Sequence, residues 1–170
     1  MRLTGILSAL FVGFLCAGCV GYRLGPTNGV EAGAFSIEIA PFRNETIEPR
    51  LTDAVTAALR KQIQRDGTYR LNTRGDSDIV VSGTITRYRR NEVSFRPEDI
   101  LTVRDYNITL WARVIARERE TNKVLLDEEI SGWTILRVED DLPSAERQAL
   151  PVVAEDLARN IAHLLVDGKW

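Results

Sequence analysis

Histidine and methionine each occur once in the 170 residues and cysteine twice, so metal cages and histidine-assisted nucleophiles have almost no raw material. The 22 Lys+Arg against 24 Asp+Glu give a formal net charge of −2, which leaves no global basic field for a nucleic acid. A polyanion site, if present, must be local. No apolar run is long enough to cross a bilayer as a helix. These absences weigh against an enzyme. What is present, 44% hydrophobic and 27% charged residues, is the balance of a folded soluble domain.

The N-terminus is the first informative segment. Met1 and Arg2 form a short positive region, Leu3 to Leu15 an apolar one, and Cys16-Ala17-Gly18-Cys19 a boundary of small residues. This order predicts an export signal over residues 1–18. The boundary resembles the bacterial lipoprotein box, in which a small pair precedes a cysteine that receives diacylglycerol and becomes the new N-terminus; here that residue is Cys19. The place three before it, usually aliphatic, holds Cys16. Several acyl chains, at about 0.8 kcal/mol per buried CH₂, anchor a protein stably without a membrane-spanning helix. Val20 follows the cysteine rather than the Asp that resembles an inner-membrane retention signal, so outer-membrane placement is expected. Loss of residues 1–18 removes Arg2 alone among the charges, leaving 21 against 24, or −3. It also leaves one cysteine, so no internal disulfide can form and the core must supply stability.

Residues 19–34 read as the acylated cysteine and a flexible tether, with four glycines and one proline between Val20 and Ala34. A single domain is expected over 35–168. Phe35, Ile37 and Ile39 alternate with polar or small neighbours up to Pro41, which predicts a half-buried strand. Leu51, Val55, Ala58, Leu59 and Ile63 recur at helical spacing between Pro49 and Gly67, predicting a helix over about 48–66. A short strand is expected near 69–72 and a clearer one over 78–88. The polar stretch 89–102, with Pro97 inside it, reads as a loop.

Residues 105–118 carry the strongest strand pattern in the chain. Tyr106, Ile108, Leu110, Ala112, Val114 and Ala116 fall on one face and Asn107, Thr109, Trp111, Arg113, Ile115 and Arg117 on the other. Thr121-Asn122-Lys123 predicts a hairpin turn into a strand over 124–135. A three-residue loop centred on Asn122 sets Val114 opposite Ile130, Arg117 opposite Asp127 and Trp111 opposite Trp133. A two-residue turn would instead set Val114 against Glu129, a mismatch of faces. Ser144 is positioned to cap a last helix carrying Leu150, Val153, Ala154, Leu157, Ile161, Leu164 and Leu165, and Pro151 predicts a kink or a start near residue 150. The expected fold class is α+β, with two helices on one face of a mostly antiparallel sheet of four or five strands.

Catalytic constellations are missing. His163 lies four residues before Asp167, a spacing typical of a surface pair on a helix. Glu139-Asp140-Asp141 lacks the glycine and spaced ligands of a calcium loop, and no glycine-rich turn joins a strand to a helix to cradle phosphates. No metal and no cofactor are expected. Two other features stand out. Arg87, Arg89, Arg90 and Arg96 cluster with Tyr88 and Phe95, and planar guanidinium forks suit phosphate. Glu92, Glu98 and Asp99 nearby leave a balanced solvated edge as the other reading. Trp111 and Trp133, with Arg113 on the same face, lie opposite the expected core, where exposed aromatic area marks a protein partner; with the faces inverted the tryptophans would be core.

The segments Cys19-Val-Gly-Tyr-Arg-Leu, Ile37-Glu-Ile-Ala-Pro-Phe-Arg-Asn-Glu-Thr46, Glu48-Pro-Arg-Leu-Thr and Ser82-Gly-Thr-Ile-Thr-Arg-Tyr-Arg-Arg90 together resemble the LPS-assembly lipoprotein LptE family over most of the chain. The resemblance implies an outer-membrane lipoprotein, lipid-anchored on the periplasmic side. Such a protein plugs the large β-barrel LptD, supports its assembly and aids lipopolysaccharide delivery to the outer leaflet. It implies no catalysis. No family ligand residue maps onto this chain by motif, so lipopolysaccharide contact by Arg87, Arg89, Arg90 and Arg96, and partner contact by Trp111, Arg113 and Trp133, rest on the residues themselves. The Ile-Ala-Pro-Phe-x-Asn segment also resembles lipoprotein domains of the curli-secretion-channel type and of penicillin-binding-protein activators. An activator of peptidoglycan synthesis is therefore the alternative.

Overall fold

The computed structural model describes residues 32–139 and 141–168. The expected signal, Cys19 and most of the expected tether lie outside the described residues. In chain order the elements are β1 (Ser36–Ile39), β2 (Arg43–Asn44), α1 (Leu51–Asp66), β3 (Arg70–Leu71), β4 (Ile79–Arg96), β5 (Asp99–Glu118), β6 (Val124–Arg137) and α2 (Leu142–Asp167). The class is α+β, two helices against one sheet.

The sheet is mixed, a departure from the mostly antiparallel expectation, and has six strands. Its order is β3-β1-β4-β5-β6, with β2 beside β4. β1 runs parallel to β3 and to β4, and β2 parallel to β4. The parallel pairs arise because α1 carries the chain back before β3 and β4 begin, as a crossover must. β4, β5 and β6 are antiparallel neighbours.

One hydrophobic cluster joins the sheet to both helices. Ile37, Ile39, Val81, Ile85, Ile108, Leu110, Ala112 and Val114 from the strands meet Leu51, Val55, Leu59 and Ile63 of α1 and Val153, Leu157, Ile161 and Leu165 of α2, all essentially without solvent exposure. Burying each large aliphatic side chain contributes about 1.5–3 kcal/mol. Two glycines set how closely the layers approach. A Cβ on Gly83 would lie 2.1 Å from the Phe42 ring, and one on Gly132 would lie 2.3 Å from the Leu157 backbone nitrogen. α2 therefore rests on β6 backbone to main chain.

Helix ends follow local chemistry. α1 starts at Leu51, three residues later than expected: Pro49 precedes it, and Arg50 at its start is left-handed with φ 68°. Gly67, at φ 77°, ends it and returns its N–H to the Ile63 carbonyl. α2 is capped by Asp141, which accepts from the Ser144 N–H at 2.8 Å, so Ser144 is the capped residue rather than the cap. The helix includes Pro151 in its interior.

Two expectations about the strands need correction. Residues 89–102 are no loop: β4 and β5 continue past the helices as a long hairpin and reverse at Pro97-Glu98. This stretch lacks apolar alternation because both its faces meet water, while the backbone ladder still holds it. The register of β5 with β6 is neither of those expected. Ala112 pairs with Ile130, Trp111 with Ser131 and Thr109 with Trp133. The shift from the preferred register is two residues, so every side chain keeps its face. The loop is longer than expected, and Asn122 takes its left-handed place at φ 58°.

Candidate functional site

A bulge between Ile85 and Arg87 decides where the arginines point. Before it, Ile79, Val81 and Ile85 face the helices. The extra residue Thr86 resets the alternation, so Arg87, Arg89 and Asn91 pair with Trp111, Thr109 and Asn107 on the open face. Tyr88, Arg90 and Glu92 pair with Leu110, Ile108 and Tyr106 on the helix face. The four arginines are thus split. Arg87 and Arg89 share the open face, Arg90 is on the other side, and Arg96 lies at the hairpin tip, donating to the Glu139 carbonyl at 3.2 Å.

The open face brings several of the singled-out residues together. The Arg87 guanidinium lies 4.7 Å from the centroid of the Trp111 ring and pairs with Glu129 at 3.0 Å. Glu129 also accepts from the Thr86 hydroxyl at 3.0 Å. Arg113 holds Asp127 through two parallel hydrogen bonds of 2.7 and 2.8 Å. That fork lowers the Asp127 pKa and raises that of Arg113. Trp133 is 56% exposed and Ile135 beside it is exposed too, while Trp111 is half-covered. The register makes the tryptophans diagonal neighbours, within reach of one another. Among the described residues Arg89 carries no ion pair. The face therefore presents aromatic surface fenced by guanidiniums whose carboxylates are exposed and exchangeable.

The helix side holds a second cluster that sequence reasoning missed. Arg90 lies 5.4 Å from the Tyr106 ring centroid and pairs with Glu146 of α2. The Tyr88 phenol is pushed up to about 12, first by burial and then by the nearby carboxylates Glu146 and Glu48. Burial, and after it Glu146, also raises the Glu48 carboxyl. Nothing in the sequence places Glu48, Tyr88 and Glu146 together, because they come from a loop, a strand and a helix. At the distal end Asp105 is buried among Ser94, Arg104 and Arg137, accepting from Arg137 Nε at 2.8 Å. The Arg137 hydrogen bond is the main cause of its lowered pKa.

His163 makes an exposed pair with Asp167. Among the described residues no group of three or more His, Cys, Asp or Glu is placed to hold a metal ion, and no helix is long and apolar enough to cross a membrane.

A family model described as lipopolysaccharide-assembly, LptE, matches residues 36–165. The chain belongs to the LptE family. That span takes in the whole sheet, all of α1 and nearly all of α2. No curated protein matches the sequence. Solved structures share the fold at low identity. Protein XCC0632 from Xanthomonas campestris has a TM-score of 0.63 at 9% identity, covering 87% of this chain and 93% of its own. The hypothetical protein CT253 from Chlamydia trachomatis has 0.57 at 10%, covering 79% and 96%. A minor lipoprotein from Acinetobacter baumannii has 0.51 at 13%, covering 78% and 94%. These likenesses concern the fold.

Proposed function

We propose that this LptE-family protein is a non-catalytic outer-membrane lipoprotein that supports assembly of an LptD-type β-barrel, plugs it, and aids lipopolysaccharide delivery. The family match over residues 36–165 carries this reading. Acyl chains on Cys19 hold the domain to the periplasmic side of the outer membrane. The open face around Trp111, Arg113 and Trp133 meets the barrel. Phosphates of lipopolysaccharide meet the arginine segment, with Arg87 exchanging Glu129 for the lipid and Arg89 adding an unpaired charge. Arg90 and Arg96 are further contacts, reached by displacing Glu146 and the Glu139 carbonyl.

The test is affinity purification of the full-length acylated protein from detergent-solubilised outer membranes, washed at high salt, with mass identification of what remains bound. A large β-barrel in near-equal amount supports the reading. A peptidoglycan synthase in its place would move it to the activator class. Trp111→Ala should reduce barrel recovery while leaving thermal stability close to wild type, since the ring is outside the core. Replacing Arg87 and Arg89 by Glu should weaken lipopolysaccharide binding by about 1.5–3 kcal/mol per contact shielded from water. Unchanged binding would remove the arginine segment as the lipid site.

A further inference from the structure

The sheet guards one border and leaves part of another bare. On β6 the outward N–H of Trp133 donates to Asp156 Oδ2 at 2.9 Å, and the Ser131 carbonyl accepts from Asn160 Nδ2 at 2.8 Å. α2 thus fills the hydrogen-bonding row at the centre of that strand. β4 is treated differently. β1 and β2 cover its border only as far as Ile85, where the Glu45 N–H makes the last bond, 3.0 Å to the Ile85 carbonyl. Among the described residues no backbone group pairs with this border from Arg87 to Glu92.

Alternation fixes which groups are on offer. The Val81 and Ile85 carbonyls accept from Ala40 and Glu45, so before the bulge the odd residues of β4 turn toward β1 and β2. Thr84 then turns to Arg113, and along β5 the odd residues Arg113, Trp111, Thr109 and Asn107 face β4. Past the bulge their partners are Arg87, Arg89 and Asn91. Tyr88, Arg90 and Glu92 therefore turn their N–H and C=O groups outward, two residues apart, the template for one added strand.

We infer that this border of β4, Tyr88 to Glu92, receives an extended, acidic segment of the membrane partner as an additional strand. A carboxylate of that segment sits beside Arg89 on the open face and shares its guanidinium with the lipid phosphate, and an apolar side chain sits beside Tyr88 on the helix face. A second copy of this chain is disfavoured as occupant. Pairing all three outward residues about a two-fold axis centres it on Arg90 and sets arginine against arginine. A closed barrel has no border of its own to lend, so the segment is a loop of the partner. The inference rests on the barrel-assembly reading and adds the mode of contact.

Residue-resolved amide exchange on the free chain and on the purified complex with its barrel tests it. In the free chain the amides of Tyr88, Arg90 and Glu92 should exchange fast and those of Arg87, Arg89 and Asn91 slowly. In the complex the first three should slow about tenfold or more. Glu92→Pro removes one outward donor without touching the β5 ladder and should weaken barrel binding about tenfold, while Glu92→Ala binds as wild type. Arg89→Glu should weaken it as well in a chain that unfolds at the wild-type temperature. A recovered barrel with the three amides still fast, or with Glu92→Pro binding normally, overturns strand addition and spares the assembly reading. Failure to recover any barrel with the wild-type chain overturns both. Protection that grows with concentration in the free chain identifies a second copy and overturns the acidic partner.

Discussion

β4 contains two strands in one. From Ile79 to Ile85 it is flanked by β1, β2 and β5, and its inward side chains are sealed beneath the helices. From Arg87 to Arg96 it has one neighbour, and exposed Val93 and Phe95 replace buried aliphatics. The first half is held by side-chain burial and the second by its ladder, by Arg90 with Glu146, and by the Asp105 lock. Stability therefore concentrates at the helix-covered end, and the distal hairpin is left with surfaces it does not need for folding.

Substitutions can break that contrast, and the largest effect is expected in the covered half. Leu157→Ala should cost about 2–5 kcal/mol in urea unfolding, whereas Leu101→Ala at the tip, a residue 88% exposed, should stay within about 0.5 kcal/mol. Equal losses would mean the hairpin packs against something. Gly83→Ala drives a methyl into the Phe42 ring and should cost about 1–3 kcal/mol. Arg90→Ala removes the stack on Tyr106 and the pair with Glu146 and should cost about 1 kcal/mol.

Smaller, but sharper in sign, is the pH dependence set by Glu48 and Asp105. Glu48 has a raised pKa, so its ionised form opposes folding; Glu48→Gln should stabilise the protein above the raised value, and the gain should vanish below the ordinary 4.5. Asp105 has a lowered pKa, so its contribution is present above the ordinary 3.8 and fades as pH falls through the depressed value. Asp105→Asn should accordingly lose stability at neutral pH and converge with wild type in acid. Thermal unfolding followed from about two pH units below the ordinary 3.8 to about two above the ordinary 4.5 separates the two signs.

The covered half was readable in the chain because burial writes alternation into it: Ile79, Val81 and Ile85, and the six apolar residues from Tyr106 to Ala116, declared their strands and faces. α1 and α2 showed their 3.6-residue spacing for the same reason. The distal half was not readable, since a hairpin wet on both sides carries no such imprint, and residues 89–102 looked like a loop. Trp111, Arg113 and Trp133 could be put on the open face from parity alone. The division of the arginines could not, because a bulge is one residue of backbone with no side-chain signature. The register of β5 with β6 escaped for a related reason: a two-residue slip preserves every face and so leaves the hydrophobic pattern unchanged. The Glu48–Tyr88–Glu146 cluster needs three distant segments at once.

Gly132 carries a consequence that a melting curve would miss. It lets α2 lie directly on β6, and the same approach brings Asp156 and Asn160 over the strand's outer row. A methyl at 132 lifts the helix and withdraws those two side chains together, so a change inside the protein becomes a change in colloidal behaviour. Gly132→Ala molecules that still fold should be sticky, and light scattering would register them before spectroscopy found them unfolded.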